Sequence, residues 1–208
     1  MSTMESPAEQ GFSARVRNAV FWRSGSQIAA QLVMWAATII VVRLLDPHDY
    51  GLFAMTQVVL VLFNFLNGYS FASSLIQADS MDEKRIAQVF GLLILLNAGL
   101  AATQFVTAPI AAAYFKQPMI TDMLRVQTLL YLATPFIALP SALLARRLDF
   151  RNQAKVNMVS AFVAAGTGLG CALSGLGLWT LVITPIVMFA TRAIGLTKIG
   201  RASCRERV

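Results

Sequence analysis

The 208-residue sequence predicts an all-α polytopic membrane protein with about six transmembrane helices, and three observations carry that expectation. Hydrophobic residues make up 57% of the chain and charged residues 13%, with a mean hydropathy of +0.64. A soluble domain carries about 25% charged residues, so this chain has too few to coat a water-facing surface. Its apolar residues gather in runs near or above the roughly 20 residues that a helix needs to cross a bilayer. Short polar segments between the runs hold most of the lysine and arginine, which is the distribution of membrane loops. The formal net charge of +7 therefore reads as topology rather than as nucleic-acid binding.

The first two runs meet at residues 41–55, VVRLLDPHDYGLFAM. Pro47 has no N–H with which to continue a helix, and it pushes Asp46 out of the helical region. The expected unit is a hairpin of two spans, repeated about twice more along the chain. Residues 1–19 form a polar, basic N-terminal segment. Residues 20–198 hold the spans, at 20–45, 52–76, 89–115, 123–144, 156–173 and 178–196. Pro109, Pro135, Pro140 and Pro185 fall within the spans as candidate bending points. Ala164, Gly166, Gly168 and Gly170 give the fifth span overlapping pairs of small residues suited to close helix packing.

With the N-terminus inside, eleven lysines and arginines of residues 1–198 lie on the inner side and three (Arg43, Lys116 and Arg125) on the outer side. The positive-inside rule thus places the N-terminus in the cytoplasm. Arg43 is expected to anchor the hairpin by pairing with Asp46 or Asp49. Arg125 is expected to pair with Asp122 three residues earlier. Residues 199–208, IGRASCRERV, leave the membrane pattern abruptly and resemble one translated frame of sequencing-adapter DNA. They are expected to be a non-native tail on a fragment of a longer protein.

Polar residues at membrane depth face either a cavity or a neighbouring helix. On the first span Arg23, Gln27, Gln31 and Thr38 fall within an arc of about 80°. The second span carries Gln57, Asn64 and Asn67 over a similar arc, and the third carries Asn97 and Gln104 seven residues apart. These nine residues are the candidates for one shared cavity, and interhelical hydrogen bonding is the other reading of each. Arg146, Arg147, Arg151 and Lys155 form a basic loop suited to anionic lipid or to a phosphate at the cavity entrance. Cys171 and Cys204 are poorly placed to pair, His48 stands alone in a turn, and no metal, cofactor or catalytic constellation emerges.

The hairpin turn, SSLIQ at 73–77 and LLARRLDFRNQAKVN at 143–157 together resemble the polysaccharide flippases of the multidrug/oligosaccharidyl-lipid/polysaccharide exporter superfamily. The resemblance covers about residues 22–198. It implies a two-lobe fold of about a dozen or more helices around a central cavity, of which this chain supplies the N-terminal lobe. It implies transport of undecaprenyl-pyrophosphate-linked oligosaccharide units across the bacterial inner membrane by alternating access, for polysaccharide biosynthesis, without enzymatic chemistry. The implied partners are that lipid-linked oligosaccharide, membrane lipids, the missing C-terminal lobe, and polysaccharide polymerase and export machinery. A multidrug exporter of the same superfamily is one alternative. Such exporters use buried carboxylates, whereas the acidic residues here, such as Asp46, Asp49, Asp122 and Asp149, lie in loops or at span edges. A membrane channel or scaffold subunit is the other alternative.

Overall fold

Asp46 shows how the local chemistry places the first turn. The computed structural model describes residues 7–66, 83–146 and 150–205, with the side chains of residues 21, 24–65, 84, 87–145 and 150–198. Helix α1 (Pro7–Leu44) runs unbroken through the basic N-terminal region into the first span. It stops before Pro47, and Asp46 then caps α2 (Pro47–Leu66). Asp46 Oδ1 accepts the His48 N–H at 3.0 Å, and the Asp46 carbonyl accepts the Asp49 N–H at 3.0 Å. Aspartate at the cap with proline at the first helical position is a preferred helix start. This use of Asp46 replaces the expected pairing with Arg43, which is exposed in the last turn of α1 and forms no ion pair among the described residues.

The chain continues as α3 (Glu83–Phe115), α4 (Met119–Gln127), α5 (Leu129–Arg146), α6 (Phe150–Leu173) and α7 (Leu178–Arg205). The candidate bending prolines lie inside α3, α5 and α7. The turn from α3 to α4 takes only residues 116–118, with Lys116 in the left-handed region at φ 56°. The candidate membrane span Met119–Ala145, the fourth expected from the sequence, is two helices parted at Thr128. The Thr128 hydroxyl donates to the Arg125 carbonyl at 2.6 Å, a back-bonding that bends helices. Helix α7 stays helical through residues 199–205.

Five segments are long and apolar enough to cross a membrane: Ser24–Leu44, Ala87–Phe115, Met119–Ala145, Phe150–Leu173 and Leu178–Lys198. Helix α2 is the described part of the expected second span, whose continuation beyond residue 66 lies outside the described residues. The protein is an all-α, multi-pass membrane protein.

Helix α6 is the centre of the packing, with α1 along one side and α7 along the other. Its contact faces are small: Ala154, Ala161, Ala165 and Ala172 are buried. Lipid tails solvate leucine as well as another helix does, so close van der Waals packing of small residues drives association. Val41 of α1 and Leu45 of the turn that follows it settle on Ala172. Of the small residues singled out in the fifth span, Ala164 and Gly168 are buried. A Cβ on Gly168 would fall 2.8 Å from Thr184 Oγ1, while Gly166 and Gly170 face open space.

Helix α7 also packs on α5, while α3 packs on α4 and α5, and α2 leans on α4 and α7. Leu52, Met123, Leu178 and Val182 join α2, α4 and α7, and Leu60, Phe63, Ala101 and Tyr131 join α2, α3 and α5. Among the described residues the two helices of the first hairpin do not pack on each other. They splay from their shared turn.

Candidate functional site: the crevice between α1 and α2

The splay leaves a crevice floored by α6 and α7. It holds a cavity of about 340 Å³, at the small end of the range for small-molecule sites. Thr38 of α1 and Gln57 of α2 line it, together with Tyr50, Phe53, Thr180 and Thr184. The remaining wall is aliphatic, and among the described residues no carboxylate or basic side chain lines it. The Thr38 hydroxyl donates to the Met34 carbonyl at 2.8 Å, and the Thr184 hydroxyl donates to the Thr180 carbonyl at 2.7 Å. Tyr50 OH and Thr180 Oγ1 are enclosed without a hydrogen-bond partner.

Other polar residues share the helix faces that Thr38 and Gln57 occupy but lie outside the cavity lining. Gln27 and Gln31 are exposed and lie within about 40° of Thr38 around α1, so all three share one flank. Asn64, also exposed, follows Gln57 by seven residues and shares its face of α2. At 1.5 Å per residue, Thr38 and Gln31 stand about 9 and 20 Å from the end of α1. Gln57 and Asn64 stand about 15 and 26 Å from the start of α2. The two helices leave the turn antiparallel, so polar groups of each recur at comparable depths. Arg23 lies on α1, but its side chain is outside the described residues, as is the whole of Asn67.

Asn97 and Gln104 do not line this cavity. They are 1% and 0% exposed, buried along α3. Asn97 Nδ2 donates to the Leu93 carbonyl at 2.8 Å, and Gln104 Nε2 donates to the Leu124 carbonyl at 2.8 Å. The second bond has a local cause. The Thr128 N–H bonds the Arg125 carbonyl rather than Leu124, so the helix break frees the Leu124 acceptor. Gln104 takes it up from α3, as a neighbouring helix must in a medium without water. Of the residues expected to share one lumen, Thr38 of α1 and Gln57 of α2 line the same cavity, whereas on α3 Asn97 bonds its own helix and Gln104 bonds α4.

The basic loop is described in part. The side chain of Arg146 and all of Arg147 lie outside the described residues. Arg151 and Lys155 are exposed on the first turns of α6. Lys155 borders a separate apolar groove of about 430 Å³ between α1 and α6. Arg125 does not pair with Asp122: its guanidinium lies over the Phe105 ring, 4.8 Å from the centroid, a cation–π contact between α4 and α3.

Sequence reasoning passed over Tyr50, Thr180, Thr184 and Arg192. Tyr50 precedes Gln57 by seven residues, and Thr180 precedes Thr184 by four, so same-face spacing was the available signal. Arg192 Nε donates to Asn157 Oδ1 at 2.7 Å, tying α7 to α6 within the membrane segment. Asn157→Ala is expected to cost about 1–2 kcal/mol. The check is a lowered unfolding midpoint in detergent, and an unchanged midpoint would show that the bond contributes nothing.

The sequence pattern of a family described as "Polysaccharide biosynthesis protein" matches residues 40–206, well over half of the chain. The chain belongs to this family. The matched stretch takes in Tyr50, Phe53 and Gln57 of α2 and all of α6, and it runs into residues 199–206. Among curated relatives, the succinoglycan biosynthesis transport protein ExoT of Rhizobium meliloti (strain 1021) is 26% identical over 166 residues, covering 80% of this chain and 34% of that protein. The lipopolysaccharide biosynthesis protein WzxC of Escherichia coli (strain K12) is 21% identical over 148 residues, covering 71% and 29%. The chain thus spans about a third of the length of these family relatives. No solved structure matches.

Proposed function

We propose that this chain is the N-terminal lobe of a polysaccharide-biosynthesis flippase. In this reading the whole protein moves undecaprenyl-pyrophosphate-linked oligosaccharide units across the bacterial inner membrane. The observation that supports it best is the cavity that Thr38 of α1 and Gln57 of α2 line together, with exposed Gln27 and Gln31 on the Thr38 flank of α1 and exposed Asn64 on the Gln57 face of α2. A glycan cannot cross hydrocarbon bare, because each unmet hydroxyl loses its hydrogen bonds to water. A wall of amides and hydroxyls replaces those bonds along the path. The N-terminus is cytoplasmic, and Arg146, Arg147, Arg151 and Lys155 attract the pyrophosphate or anionic lipid at the inner mouth. A C-terminal lobe covers the exposed flank of α1, and the two lobes rock to alternate access. Polymerase and export machinery take the product. Among the described residues the cavity lining has no carboxylate, which speaks against cation-coupled drug export through this cavity.

The test is flipping of a lipid-linked oligosaccharide by the full-length protein in vesicles. Gln31→Leu and Gln57→Leu are each expected to slow it about tenfold, the loss of one well-made hydrogen bond along the path. Thr103→Val, on an exposed face of α3 away from the crevice, is expected to leave the rate unchanged. Wild-type rates in both glutamine variants would remove the crevice from the transport path.

A further inference from the structure

We infer that the cavity between α1, α2, α6 and α7 is a subsite for an uncharged sugar residue of the transported glycan, and not for its phosphate. This rests on the transport reading above and narrows it. The lining offers one amide (Gln57), three hydroxyl-bearing threonines (Thr38, Thr180, Thr184) and two aromatic rings (Tyr50, Phe53). Among the described residues no Lys, Arg, His, Asp or Glu lines it. A phosphate placed there would give up its hydration with no cation to replace it.

A pyranose makes the opposite demand. Its C–H face needs an apolar, preferably aromatic, surface, and its hydroxyls need partners that both donate and accept. Hydroxyl side chains do both, and a glutamine amide presents a donor and an acceptor on separate atoms. Thr38 and Thr184 commit their protons to backbone carbonyls, so toward the cavity they offer acceptors. Tyr50 and Thr180 supply the donors, since their hydroxyls have no partner within the protein. Buried polar groups are nearly always bonded, and a bare one calls for an explanation. Here two bare hydroxyls sit on α2 and α7, on walls of the same cavity. Its volume of about 340 Å³ suits a single sugar residue rather than an extended chain.

The experiment uses the full-length protein in lipid nanodiscs and two probes: a short-chain prenyl diphosphate bearing one hexose, and the same prenyl diphosphate without it. Thr180→Val and Tyr50→Phe each remove one hydroxyl with little change of volume. Each variant is expected to bind the hexose-bearing probe about tenfold more weakly and the bare prenyl diphosphate as the wild type does. The unfolding midpoint is expected to hold or rise, because an unpartnered buried hydroxyl has been removed. Equal loss for both probes, or loss for neither, overturns the sugar subsite. A fall in midpoint with unchanged discrimination between the probes also overturns it and makes the hydroxyls structural. Failure of the wild type to bind either probe overturns the transport reading instead.

Discussion

Gly195→Val is expected to force α6 and α7 apart and to lower stability by about 3 kcal/mol, the upper end for an overpacked core. A Cβ at Gly195 would stand 2.8 Å from Val156 Cγ1 and 3.2 Å from its Cγ2. A β-branched side chain in a helix has essentially one rotamer, so Val156 cannot swing clear. Val156 is itself held with Leu144 and Leu196 in a cluster that joins α5, α6 and α7. The strain therefore reaches three helices. Gly195→Ala is expected to cost less, about 1 kcal/mol, because only one added carbon must be accommodated. Adding Val156→Ala to Gly195→Val should recover most of the loss, since the shortened side chain vacates the contested space. Unfolding midpoints of the two single variants and the double variant in one detergent decide the matter. Additive losses would show that the overlap with Val156 is not the cause.

Gly177→Ala is the second large effect, expected at about 2 kcal/mol. Two independent terms contribute. Gly177 lies in the left-handed region at φ 49°, where a side chain costs about 1–2 kcal/mol. A Cβ there would also stand 2.9 Å from Asp49 Oδ2. That carboxylate sits beside the start of α7, where a negative charge is favourable by about 0.3–1 kcal/mol. Gly175 provides the control: its φ is 74° and its Cβ would meet nothing within 4 Å. Gly175→Ala should therefore show only the backbone term, and Gly177→Ala should fall below it. In an Asp49→Ala background the two glycine variants should become equal. Equal midpoints in the native background would show that Asp49 yields freely and that only the backbone matters. The site is coupled to the crevice, because Tyr50 follows Asp49 and Thr180 is three residues past Gly177. Displacing this turn contact should also disturb the mouth of the cavity.

Much of the fold was legible from composition and punctuation. Apolar runs separated by short basic loops require helices that cross a membrane, because backbone groups in lipid must be satisfied within the segment. The turn at Asp46-Pro47 was readable for the same local reason that it forms: one residue caps and the next cannot donate. The break at Thr128 was not readable, since nothing near it is a glycine or a proline and Pro135 and Pro140 drew attention further along. The small residues of α6 announced close packing, but only Gly168 and Ala164 of the four are buried in it. A period marks a face without saying what meets it.

The same limit governs the site. The sequence by itself determined that Gln31, Gln57, Asn64, Asn97 and Gln104 are polar groups at membrane depth, and on which face of its own helix each lies. It could not separate Gln57, which lines a cavity, from Gln104, which is sealed against Leu124. Both are glutamines in apolar helices with the same donors and acceptors. What separates them is a carbonyl freed twenty residues away by a helix break, and the lean of α1 onto α6 rather than onto α2. Those outcomes belong to the tertiary structure. In lipid, helices choose partners by how closely small residues let their backbones approach, a relation between distant segments that no local pattern encodes.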